Sequence, residues 1–172
     1  MIGIAPPSLY AAFGSKAGLY QEALSRYEQT LGGLDVTSIG AATTLADAVH
    51  RLLEAAVKAV THPDRELGCM ISSGMIVCHP EHAALARDAA LRRAAMRERI
   101  AHALQPFAES SELHRLARHL AAVMQGISIQ ARDGATPAEL QEIVQDVVSG
   151  VAARFPPNGR RYDARRSSRR RC

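Results

Sequence analysis

Apolar and polar positions along this chain alternate with a helical period almost throughout. From about Glu112 to Arg132, Leu113, Leu116, Leu120, Val123, Met124 and Ile127 recur in steps of three and four, and Gly134 marks the stop. Thr136-Pro137-Ala138-Glu139 then supplies an N-cap, a first-turn proline and a capping-box glutamate. Leu140, Ile143, Val144, Val147, Val148 and Val151 line one face of the helix that follows. The two make a helical hairpin. Upstream, Leu45, Val49, Leu52, Leu53, Ala56, Val57 and Val60 predict a helix that ends before Pro63. An apolar segment at 67–78 comes next, and Leu85, Leu91, Met96, Ile100 and Leu104 predict a long helix from about Pro80 to Gln105. Leu19, Ala23, Leu24, Tyr27 and Leu31 predict a helix from Lys16 to the Gly32-Gly33 break, followed by a Gly-, Thr- and Ser-rich loop at 32–44. No strand pattern or internal repeat stands out, so the fold class is all-α.

The amino-terminal end carries a different kind of signal. Pro6 and Pro7 restrict the residues before them to extended backbone, so a helix starts only at Pro7, where the missing amide hydrogen is no loss. Leu9 and Phe13 share one face of this short helix, Gly14 offers the positive φ that stops it, and Ser15 caps the next. Lys16 at the start of that next helix opposes the helix dipole. The choice makes sense if an external phosphate occupies the same end, which points to nucleic acid.

Residues 3–27 resemble the tetracycline-repressor (TetR) family of transcription regulators, through the ordered set Leu9, Tyr10, Phe13, Ser15, Lys16 and Leu19 with its stop at Gly14. The resemblance implies that Tyr10 and Lys16 touch the DNA backbone, that Pro6, Pro7 and Ser8 approach the major groove, and that Leu9, Phe13 and Leu19 are core. It also implies a homodimer through the last two helices, with Leu116, Leu120, Val123, Met124, Ile127, Ile143, Val144, Val147 and Val148 as the interface; both stripes also suit internal packing. Operator DNA and a small apolar effector are the implied partners, with effector binding changing the spacing of two recognition helices. The family's first helix and most of its second precede the turn glycine, whereas only Met1 and Ile2 precede this motif, so roughly 30 residues of a three-helix unit are unmatched. The expectation is either a longer native protein or a truncated relative, and the alternative function is a dimerising, small-molecule-binding module without specific DNA binding.

Composition sharpens this picture in two places. The chain has 172 residues, enough for one compact unit, and a formal net charge of +4, but seven arginines stand against one aspartate in residues 160–172, leaving the body mildly acidic. The organisation expected is residues 1–31 as DNA-binding region and linking helix, 32–155 as the ligand-binding and dimerisation body, and 156–172 as a disordered arginine-rich tail. Three cysteines at no framework spacing, with no signal peptide or membrane span visible, suit a reduced cytoplasmic setting.

Candidate chemistry is sparse. Cys69, Cys78, His79 and His82 lack the paired spacing of a zinc site, so no metal is expected, and no cofactor motif or combined nucleophile, base and oxyanion donor appears. His114 and His119 beside Glu112 read as surface or interface groups rather than a catalytic base. For a ligand, the methionines and small hydroxyls of Cys69–Cys78 make the most adaptable wall, which nominates Met70, Ser73 and Met75, joined by Met96 from the next helix.

Overall fold

The strongest apolar stripe of the sequence becomes the centre of the protein. A computed structural model describes residues 6–156, and every regular element among them is helical. In order they are α1 (Pro6–Phe13), α2 (Lys16–Thr30), α3 (Leu45–Val60), α4 (Met70–Ser73), α5 (Ala83–Ala103), α6 (Ser110–Arg132) and α7 (Pro137–Arg154). The arginine-rich tail expected at 156–172 lies, from Pro157 onward, outside the described residues.

Helix α3 opens at Thr44, whose hydroxyl accepts the Asp47 amide at 3.1 Å, and Leu45, Ala48, Val49, Leu52, Leu53, Ala56, Val57 and Val60 are all buried along it. Burial at that spacing covers well over one face, because α6 and α7 pack on it together with a 3-10 turn, Thr37–Ala41, that brings Ile39 into the core. Residues 32–44 are thus not simply a loop. The capping box at Thr136 forms as expected: its hydroxyl accepts the Glu139 amide at 3.3 Å, and its own amide donates to the Glu139 carboxylate at 2.7 Å. Gly134 closes α6 with φ 99°.

Other expectations shift. The apolar segment 67–78 contains only one helical turn, α4, and Pro80–His82 forms a 3-10 turn ahead of α5. Leu91 is 69% exposed, since the inward face of α5 runs through Leu85, Ala89, Ile100 and Ala101 instead. Phe13 is open at 37% exposure rather than core, because among the described residues α1 packs chiefly on α2. On the interface stripe, Leu116, Leu120, Met124, Ile127 and Val144 lie inside the protomer, where α6 and α7 press on α3, so they are core residues that a second subunit cannot reach. Val123, Ile143, Val147 and Val148 remain half-buried.

Two measurements follow. Leu52→Ala deletes a fully buried side chain and should cost about 2–5 kcal/mol in urea unfolding. The Thr136 amide and hydroxyl hold the Glu139 carboxyl below its ordinary pKa, so its contribution is complete above the usual glutamate range and is lost as pH falls through the lowered folded value. The melting-temperature gap between wild type and Glu139→Gln should therefore be widest at neutral pH and close on acidification.

Candidate nucleic-acid interface and ligand cavity

The turn between α1 and α2 rests on three local choices. Gly14 takes φ 71°, a conformation that ends α1 and that side-chain-bearing residues rarely adopt. Ser15 is extended, and its hydroxyl accepts the Gly18 amide at 3.1 Å, as an N-cap should. Gly18 is the third: a Cβ there would collide with the Phe13 carbonyl oxygen, so only glycine lets the end of α1 lie so close to the first turn of α2. Ser8 and Lys16 are both exposed, and Lys16 is the first residue of α2. Pro6, Pro7 and Tyr10 lie on α1, and their side chains lie outside the described set.

Helix α2 runs from this turn into the body. Fifteen residues carry it about 22 Å. Leu24 is fully buried, and beside it Arg92 of α5 donates to Glu28 at 2.6 Å and to the Ser25 hydroxyl at 2.9 Å while also binding Asp88 at 3.1 Å. The neighbouring Arg93 turns another way and donates to the carbonyls of Ile71 at 3.1 Å and Gly74 at 2.9 Å. Consecutive arginines thus fasten α5 to α2 and to the α4 segment.

A partly enclosed cavity of about 70 Å³ lies where these elements meet. Tyr27 and Leu31 of α2 form one wall, Ala55, Ala56, Ala59 and Val60 of α3 a second, and Cys69 with Ser72 a third, closed by Met96 and Met124. The Tyr27 hydroxyl donates to the Cys69 thiol and accepts the Met70 amide; burial, then the neighbouring thiol, pushes its pKa up to about 12, so the phenol stays a neutral donor. The Cys69 amide donates to the buried Ser128 hydroxyl at 2.8 Å. A wider groove of about 800 Å³ between the 36–42 segment and the end of α5 stands open to solvent and encloses nothing.

Of the nominated ligand residues only Met96 reaches the cavity. Met70, Ser73 and Met75 do not line it: the single turn of α4 presents Cys69 and Ser72 instead, Ser73 donates back to the Cys69 carbonyl at 2.9 Å, and Met75 leaves the turn at φ 54°. Tyr27, Gly18, Arg92 and Arg93 were not singled out. Helical spacing signalled Tyr27 as an inward residue, but an arginine that binds a distant carbonyl has no periodic signature. The groups weighed as metal ligands stay apart, and among the described residues no cluster of three or more such side chains gathers. Glu112 pairs with Arg115 and with Arg154, and His114 lies 3.6 Å from Glu98. No helix among the described residues is long and apolar enough to cross a membrane.

A capped turn joining two amino-terminal helices, set on a helical body with an internal cavity, defines a helix-turn-helix regulator. No family model matches the chain. The HTH-type transcriptional repressor BdcR of Escherichia coli strain K12 is 29% identical over 133 residues, which span 77% of this chain and 66% of that protein, just under two thirds of its length. A cysteine-substituted form of the TetR family transcriptional regulator CifR, solved with 26-bp double-strand operator DNA, superposes with a TM-score of 0.75 at 30% identity, covering 85% of this chain and 80% of that one. A putative TetR regulator from Rhodococcus sp. RHA1 gives a TM-score of 0.53 at 31% identity over 87% and 83%. The chain belongs to the TetR family of transcriptional regulators.

Arg93→Met removes two charge-assisted bonds to carbonyls that have no other way to be satisfied within a single turn. It should cost about 1.5–3 kcal/mol and speed amide hydrogen exchange most at residues 71–76, by mass spectrometry, while leaving α7 protected.

Proposed function

We propose that the protein is a transcriptional repressor that binds operator DNA as a homodimer and releases it when a small apolar effector occupies the cavity beneath α2. The observation that carries this reading is the continuity of α2. Its first turn carries Ser15 and Lys16 beside the exposed face of α1, and its far end supplies Tyr27 and Leu31 to the cavity wall. In this reading residues 1–31 read DNA, with Pro6, Pro7 and Ser8 approaching the major groove and Tyr10 and Lys16 binding backbone phosphates. Residues 32–155 bind effector and pair the subunits, and the protein acts in the cytoplasm without a catalytic role. BdcR is named a transcriptional repressor and CifR is seen with operator DNA, which supports the same assignment here.

The pairing surface falls on the outer faces of α6 and α7, where Val123, Ile143, Val147 and Val148 are half-buried and Ile129 is 42% exposed. Gly126 and Gly150 lie within these helices although a Cβ at either would meet nothing in the protomer. Glycine there costs roughly 0.8–1 kcal/mol of helix propensity against alanine, a cost that close approach of a second subunit's helices would offset. Gly126→Arg is expected to leave the melting profile of the protomer intact, to give monomers by analytical ultracentrifugation, and to abolish operator binding.

The repressor reading is tested by fluorescence anisotropy with duplexes from the DNA flanking the gene, using the protein with its native amino terminus. Sequence-specific binding is expected. Lys16→Ala should weaken it uniformly across sequences and lower the slope of affinity against salt by about one phosphate contact. Binding that is weak, independent of sequence and abolished by moderate salt would overturn the reading, and indifference to both Tyr10→Ala and Lys16→Ala would leave a dimerising ligand-binding module.

A further inference from the structure

The cavity beneath α2 is selective in size, charge and polarity, and these three properties define a class of ligand. Its volume of about 70 Å³ is roughly half that of a cavity known to take benzene, about 150 Å³. An aromatic ring is too large, whereas three to five non-hydrogen atoms fit, the upper end because Met96 and Met124 are unbranched side chains that can yield.

Charge is excluded next. Asp35 is the only lining residue that is charged at neutral pH, and it lies exposed at the mouth with its carboxylate already accepting the Thr37 amide at 2.9 Å and hydroxyl at 2.6 Å. Neither a cation nor an anion drawn inside would meet a counter-charge, and an unpaired buried charge is strongly unfavourable.

Polarity is confined to one side. Three alanines, Val60 and the two methionines make the rest of the wall apolar, while Tyr27, Cys69 and Ser72 gather opposite. The Tyr27 O–H is directed at a thiol sulfur, which is a weak acceptor. An oxygen acceptor entering the cavity offers that O–H a better partner, and the phenol oxygen keeps its bond from the Met70 amide.

We propose that this cavity binds an uncharged molecule of roughly three to five non-hydrogen atoms bearing one carbonyl or ether oxygen, which takes its hydrogen bond from Tyr27. Binding stands on the cavity alone, and only its consequence for DNA rests on the repressor reading. That consequence is direct, because Tyr27 is itself a residue of α2, and an oxygen that captures its hydroxyl loosens the tie between α2 and the Cys69 segment.

Acetone is a suitable probe, with acetate as a charged molecule of the same size, benzene as an oversized one and xenon as an apolar atom with no acceptor. In nitrogen-15 correlation spectra without DNA, acetone should give saturable shifts centred on the amides of Tyr27, Ala56 and Cys69, with a dissociation constant of roughly 0.1–10 mM. Acetate and benzene should give none. Tyr27→Phe should weaken acetone about tenfold while leaving xenon binding unchanged, since only the hydroxyl is removed. Ala56→Leu, checked for a retained melting transition, should exclude both acetone and xenon. Saturating acetone should weaken operator binding by the wild type at least threefold and by Tyr27→Phe less. The absence of localised acetone shifts, equal binding of acetate or benzene, or unchanged acetone affinity in Tyr27→Phe would each overturn the proposal. A protein that binds acetone this way yet ignores operator DNA would sink the repressor reading and leave the cavity assignment standing.

Discussion

A helix of one turn cannot satisfy its own backbone, and the architecture of this protein's body turns on that constraint. Four residues, Met70–Ser73, form α4, so nearly all of its amides and carbonyls are terminal ones without intrahelical partners. Ile71 and Ser72 are buried, which rules out water as the general remedy. Side chains from three long helices supply the bonds: Ser128 of α6 takes the Cys69 amide, Tyr27 of α2 takes the Met70 amide, and Arg93 of α5 gives to the Ile71 and Gly74 carbonyls. The polar demand of one short segment therefore fixes the relative positions of α2, α5 and α6. Apolar packing around α3 sets the mass of the core, but it does not discriminate between small rotations of those helices; the directed bonds to α4 do.

The same contrast explains what the sequence disclosed. Long amphipathic elements were legible because burial repeats every three or four residues: α3, α6 and α7 fall within two residues of where their stripes place them, and the Thr136 capping box is local chemistry that needs no tertiary context. The turn at Gly14, Ser15 and Lys16 was legible for that reason too. Segment 67–78 was not, since its conformation depends on groups 19 to 59 positions away, as in the Arg93 and Ser128 bonds. A wall facing one position earlier than expected, Cys69 and Ser72 in place of Met70 and Ser73, is what a misjudged phase of a single turn produces.

The interface stripe shows a related limit. A helix that packs on a core and also meets a partner buries more than one face, and sequence periodicity reports their sum. Leu116, Leu120, Met124, Ile127 and Val144 belong to the inner face. Which residues remain outside became visible only from the exposure of Ile129 and from the open space around Gly126 and Gly150. Leu91 is the converse case, an apolar residue at plausible spacing that the inward face of α5 leaves out in solvent.

Gly18 carries a mechanical consequence. With no Cβ there, the Phe13 carbonyl rests against the first turn of α2, and the Ser15 cap and the Ser15 amide bond to Phe13 at 2.8 Å close the corner from the other side. Such a corner has no slack. Helix α1 cannot swivel independently of α2, so the pair behaves as one bent rod whose orientation is set where α2 enters the body, at Leu24, Tyr27 and the Arg92 bonds. A displacement of a fraction of an ångström at that socket is then passed to the outer end undamped, and the far arm of the rod magnifies it.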